Sequence, residues 1–178
     1  QGTIGLEILE QVKGCESIVV PIGGGGLISG IAVAAKSINP KIKIFGVQTE
    51  AVKTMAELFK TGKFEIPNSA VTTLADGIAV KVPSKIMHEN FISKYVDEIV
   101  TISEGQIAEA MVFLLERVKT VAEGSGAAAV AAAYRKILPL GAKTCLLVSG
   151  GNIDLNIISG IIQRGQIQRG RLTELSVI

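Results

Sequence analysis

Short apolar runs that stop at glycine, each followed by helical periodicity, restrict this chain more than any other feature of its sequence. The run 17–22 (SIVVPI) enters four consecutive glycines, Gly23 to Gly26, and helical spacing follows over 27–37, with Ile28, Ile31 and Ala35 on one face. The pattern recurs: strands are expected at 42–48 (IKIFGVQ), 96–102 (VDEIVTI) and 143–149 (KTCLLVS), the last ending in Gly150 and Gly151. Further helices are expected at 3–13, 51–61, 84–94, 104–121 with Ser103 as N-cap, 125–137 and 154–163, with a closing strand at 171–177. Near-continuous apolar strands are those buried on both faces, as in a parallel sheet. Parallel neighbours need crossovers, which helices of these lengths supply. The fold class is therefore α/β, a mainly parallel twisted sheet with flanking helices. Ligands of such sheets sit beyond the carboxyl ends of the strands, and both glycine clusters fall at such ends.

Composition agrees with that class. Of 178 residues 48% are apolar and only 4% aromatic, so the core is aliphatic, and the length suits one good core with at most a small second domain. The net charge of +2 comes from scattered basic residues, which argues against a nucleic-acid partner or an acidic membrane surface. No apolar run approaches the roughly 20 residues of a membrane span, and no secretory signal pattern is visible. Cys15 and Cys145 lack paired-ligand spacing and read as two buried, reduced thiols in a cytoplasmic protein.

The glycine run is the first candidate for chemistry. Backbone N–H groups between a strand and a helix start are unpaired and converge, helped by the positive end of the helix, so the natural occupant is a phosphate. The competing reading is a tight, closely packed turn. The P-loop pattern is not met, because Gly30 is followed by Ile31. The dinucleotide fingerprint fits loosely through Gly24, Gly26 and Ser29, with Glu50 as a ribose-binding acid, which leaves an oxidoreductase domain as an alternative. At the second cluster Ser149 is able to exchange a hydrogen bond with a ring nitrogen or simply to cap a turn. His88, the single histidine, lies in an ordinary amphipathic pattern and makes no catalytic triad. Asp76-Gly77 signals a turn. Glu123 is an acid in a cleft or a first-turn charge favoured by the helix dipole.

Four separated motifs, "PIGGGGLISG", "LADGIAVK", "AEGSGAAA" and "VSGGNID", occur in the order and spacing of the serine/threonine dehydratase family, which includes threonine ammonia-lyase (threonine dehydratase), serine dehydratase and serine racemase. The resemblance covers nearly the whole chain. It implies pyridoxal 5'-phosphate as cofactor, on the large domain of a fold type II (tryptophan synthase β-like) enzyme. It implies that Gly23, Gly24, Gly25, Gly26 and Leu27 cradle the cofactor phosphate. Ser149, followed by Gly150, would meet the pyridine nitrogen, Gly77 would lie against the cofactor, and Glu123 would be an acid near it. The implied reaction is deamination of L-threonine to 2-oxobutanoate and ammonia, with serine dehydration or racemisation as the family alternatives and a small amino acid as the partner molecule.

Two departures qualify the likeness. The family's Schiff-base lysine lies in a Ser-x-Lys-x-Arg-Gly type motif, and its substrate carboxylate is held by a Ser-Gly-Asn-His type loop; neither occurs here. Lys36 and Lys81 stand in other contexts. The chain is therefore expected to be the C-terminal portion of a catalytic domain (1–165), inactive alone, with a tail (166–178) that begins an effector domain of ACT type. Half a sheet leaves apolar surface and an edge to cover, so a homo-oligomer is expected. Where some relatives hold a divalent cation this chain has Gln48, Val52 and Thr54, and no metal is expected.

Overall fold

The computed structural model describes residues 1–67, 70–168 and 170–173, without the side chains of residues 164 and 168. Four strands, β1 (Ser17–Pro21), β2 (Lys43–Thr49), β3 (Glu98–Ile102) and β4 (Thr144–Leu146), form one sheet in the order β3-β2-β1-β4. Every pairing is parallel, with Val19 opposite Phe45 on one side and Leu146 on the other, and Val47 opposite Val100. The connecting helices are α1 (Gly2–Gln11), α2 (Gly26–Ile38), α3 (Thr54–Thr61), α4 (Lys85–Met87), α5 (Ser93–Tyr95), α6 (Glu104–Phe113), α7 (Gly124–Tyr134) and α8 (Leu155–Gln168). A π-helical turn, His88–Ile92, fuses α4 and α5 into one helical stretch, and a second, Leu114–Val118, extends α6.

Side chains alternate across the sheet because successive Cβ atoms of a strand point to opposite faces. Val19, Phe45, Val47 and Ile102 pack with α6, α7 and Ile161 of α8. Ile18, Val20 and Ile44 pack on the other face with α2, Met55 and Leu58 of α3, and Ile92. Both faces are covered, which is why the strands read as continuous apolar runs. Burying an isoleucine such as Ile18, Ile44 or Ile102 contributes about 1.5–3 kcal/mol, and all three are fully buried.

Several element bounds differ from expectation for local reasons. α3 begins at Thr54 because residues 50–53 form a turn, closed by Val52 N–H donating to Thr49 O and Ala51 N–H to Thr49 Oγ1. The helix starting at Ser103 is capped as predicted, with Ser103 and Gln106 forming a reciprocal capping box, but Lys119 takes a left-handed backbone (φ 62°) and stops it at Val118. Lys136 (φ 53°) likewise follows the early end of α7.

β4 is three residues long rather than seven. In register, Leu147 N–H still donates to Val19 O, but the next bond would come from the N–H of residue 21, which is Pro21. Ser149 therefore sits three residues beyond the strand. α8 is longer than expected and runs through residues 165 and 166. Of the strand expected at 171–177, residues 171–173 are not strand, and residues 174–177 lie outside the described residues.

Candidate functional site

The sheet order reverses at β1: the chain moves to β2 on one side and later returns to β4 on the other. The crevice outside the carboxyl ends of β1 and β4 is thus the topological switch point, where open α/β sheets take their ligands. β1 delivers Gly23–Gly26 to it, and the segment after β4 delivers Ser149.

The glycine loop is built to present donors. Gly25 is the N-cap of α2 with φ +97°, a backbone state that favours glycine, and a Cβ there would lie 2.7 Å from Ile92 Cδ1. A Cβ on Gly24 or Gly26 would meet nothing within 4 Å. No side chain caps α2 and no acid stands in its first turn. Among the described residues no protein acceptor takes the N–H groups of residues 23–28; the first bond of the helix is Ser29 N–H to Gly25 O. Six donors at a positive helix end, beside open space, fit an oxyanion such as a phosphate monoester.

The facing wall comes from three distant segments. Asp76–Ile78 form a 3-10 turn in which Gly77 N–H donates to Asp76 Oδ1 (2.8 Å). The stretch ahead of it is tied down by Glu104, the first residue of α6. Glu104 Oε2 accepts from Leu74 N–H (2.8 Å), while Oε1 accepts from Thr73 Oγ1 and from Thr49 Oγ1. α7 then enters at very close range. A Cβ on Gly124 would lie 1.9 Å from Leu74 O, and one on Gly126 would lie 2.3 Å from Gly150 O, so both positions require glycine. Glu123, the N-cap of α7, donates its N–H to Gly150 O (3.1 Å). Between the two glycines Ser125 is buried, with its Oγ beside Gly77.

These elements enclose a cleft of about 290 Å³, open to solvent and at the lower edge of the range of small-molecule sites. It is lined by Gly23, Gly24, Gly25, Gly26, Leu27, Gly77, Glu123 and Ser149, together with Pro21, Ile78 and Ser125. Gly150 does not line it; its carbonyl seats Glu123 and the start of α7 instead. Ser149 is exposed, and its hydroxyl bonds to no described residue. Ser125 and Glu104 were not singled out in the sequence. The signal for Ser125 was a serine between two helix-start glycines, whereas Glu104 looks like any first-turn acid.

Other candidates lie elsewhere. Glu50 and His88 do not line the cleft, nor do Lys36 and Lys81. Lys36 Nζ is 2.8 Å from Asp97 Oδ2, and Lys43 Nζ is 2.8 Å from Oδ1. Burial pushes the Asp97 carboxyl up, but the hydrogen bonds from Lys36, Lys43 and Ile44 N–H outweigh it and hold it below the usual carboxylate range. Gln48 is fully buried and accepts from Ala56 N–H (3.0 Å), and Thr54 Oγ1 donates to Val80 O. Cys15 is buried and Cys145 half-buried; both are free thiols, and burial pushes both up. No helix among the described residues is long and apolar enough to cross a membrane.

Comparison with known proteins agrees with this geometry. The model of the family described as "Pyridoxal-phosphate dependent enzyme" matches residues 1–150. The L-threonine ammonia-lyase of Thermotoga maritima is 51% identical over 171 residues, which is 96% of this chain and 42% of the relative. Among solved structures, the processed threonine deaminase isoform 2 of Solanum lycopersicum superposes with a TM-score of 0.84 at 30% identity, covering 93% of this chain and 46% of that one. Maize serine racemase gives a TM-score of 0.79 at 36% identity, covering 90% and 51%. The chain thus spans about half the length of the relatives it matches. The loose dinucleotide fingerprint gives way to this match, since Glu50 is exposed and away from the cleft. The chain, with its donor-lined glycine cradle at the switch point of a fold type II sheet, belongs to the family of pyridoxal-phosphate-dependent enzymes.

Proposed function

We propose that this chain carries the cofactor-holding part of an ammonia-lyase that deaminates L-threonine to 2-oxobutanoate and ammonia. The observation that carries the proposal is the convergence of Gly23–Leu27, Gly77, Glu123 and Ser149 on one cleft, in a chain 51% identical to a protein named L-threonine ammonia-lyase. Pyridoxal phosphate, when bound, supplies an electron sink that makes the α-proton of an amino acid labile and lets a β-hydroxyl leave.

The protein's part is to hold and tune. The N–H groups from Gly23 to Leu27 hold the phosphate at the start of α2, where dipole and donors act together. The Ser149 hydroxyl meets the ring nitrogen. A neutral hydroxyl there would not enforce a charged ring, so Ser149 would keep the sink mild. Gly77, without a side chain, leaves room for the ring against the backbone, and Glu123 places a carboxylate in the same cleft.

The test has two steps. Calorimetric titration of the chain with pyridoxamine 5'-phosphate, which has no aldehyde to react with surface lysines, is expected to show one binding site. Protein expressed from the whole open reading frame, supplied with pyridoxal phosphate, is expected to release 2-oxobutanoate from L-threonine. Turnover of serine in place of threonine would change the substrate, and turnover of neither would remove the lyase reading.

A further inference from the structure

We propose that the first turn of α7 is a second anchoring point in the cleft, where the Ser125 hydroxyl hydrogen-bonds the ring end of bound pyridoxal phosphate. The proposal rests on the cofactor reading above. Ser125 is 4% exposed, and its Oγ has no partner. Among the described residues two other buried side-chain atoms lack one, Ser29 Oγ and Gln48 Nε2, and neither residue lines the glycine cleft, while Glu109 Oε2 is paired with Arg135.

A buried hydroxyl without a partner destabilises the protein that carries it. Packing gives no reason for it here, since the helix continues as Ala127, Ala128 and Ala129, all fully buried, and an alanine at position 125 would fill nearly the same space. The missing partner is therefore a group that arrives with the ligand.

Position identifies which part of the ligand that is. The phosphate already has its donors at α2. Ser125 stands where α7 abuts the Ser149–Gly150 segment, with Gly126 packed on the Gly150 carbonyl. Its Oγ is 2.9 Å from where a Cβ of residue 77 would be, so only a glycine at 77 leaves that hydroxyl unobstructed. The N–H groups of Gly124, Ser125 and Gly126 likewise have no protein acceptor among the described residues, and α7 has no acid in its first turn. The Ser125 hydroxyl thus stands on the side of the cleft formed by Gly77, Glu123 and Ser149, which on the cofactor reading is the ring side.

The experiment compares the chain with Ser125→Ala in calorimetric titrations with pyridoxamine 5'-phosphate and with pyridoxamine, which lacks the phosphate, alongside the melting temperature of each protein without ligand. The expected result is an unliganded melting temperature equal to or above that of the parent chain. Affinity for pyridoxamine 5'-phosphate should fall about tenfold, the worth of one hydrogen bond at about 1.4 kcal/mol, with the same ratio for pyridoxamine. Ser125→Cys, close in size but a weak donor, should follow in the same direction, so a folding defect in one variant does not decide the matter. Unchanged affinity in either variant overturns the proposal, as does a loss confined to the phosphorylated probe, which would put the hydroxyl at the phosphate. Failure of the parent chain to bind pyridoxamine 5'-phosphate removes the cofactor reading and this inference with it.

Discussion

Gly24→Ala separates the two readings of the glycine run, as a phosphate cradle or as a tightly packed turn. A Cβ at this position meets nothing within 4 Å, and the residue does not need a left-handed backbone. Alanine there should stabilise the unliganded chain by about 0.4–1 kcal/mol, through the lower entropy of the unfolded state. At roughly 2–4 °C per kcal/mol for a chain of this size, the melting temperature should hold or rise by about 1–4 °C. The new methyl, however, occupies space beside N–H groups that have no protein acceptor. A phosphate pushed off one such donor loses a charge-assisted hydrogen bond of about 1.5–3 kcal/mol, so affinity for pyridoxamine 5'-phosphate should drop roughly tenfold to a hundredfold. Gly25→Ala is the contrast. With φ +97° and Ile92 Cδ1 2.7 Å from the added carbon, it should cost about 1–3 kcal/mol of stability before any ligand is added. Calorimetry and thermal melts on the three proteins read both quantities. Gly24→Ala that binds as tightly as the parent chain would refute the cradle, and a loss of unliganded stability in it would show the loop to be packed after all.

Gly124→Ala should destabilise the chain by about 2 kcal/mol despite alanine's better helix propensity, because the added carbon meets the Leu74 carbonyl, whose own N–H is bonded to Glu104; urea unfolding with no loss of stability would show that the two backbones move apart freely. Ser103→Ala removes one half of the capping box at the start of α6 and should cost about 1 kcal/mol by the same measurement. Asp97→Asn leaves the Lys36 ammonium, only 17% exposed, without its ion pair and should cost about 2 kcal/mol near neutral pH. Because the folded-state pKa of Asp97 is depressed, that contribution is complete above the ordinary value of about 3.9 and fades as pH falls through the folded value. The stability gap between Asp97→Asn and the parent should therefore close in acid, and a gap independent of pH would contradict the ion pair.

What could be read from the sequence divides along a physical line. Elements whose cause is local were legible: the apolar run into Gly23–Gly26, the Ser103 cap, and the end of the helix expected at 51–61, where the fold adds Gln106 to the cap and a left-handed Gly62 after the helix. What depends on a partner far along the chain was not. β4 stops early because of Pro21, more than a hundred residues before it, whose missing N–H means nothing until register places it beside Leu147. Glu104 has an ordinary helical reason to stand at the start of α6, and only the fold shows its carboxylate holding Thr73 and Leu74 ahead of Gly77. Ser125 is the sharper case. A serine at a helix start is locally sufficient as a description, so sequence raises no question about it. The question arises only when close packing of Gly124 on Leu74 and of Gly126 on Gly150 leaves that hydroxyl buried with nothing to bond. A polar group that looks ordinary in sequence and lacks a partner in the fold is therefore the more informative one. Local chemistry accounts for the first condition, and only something from outside the chain accounts for the second.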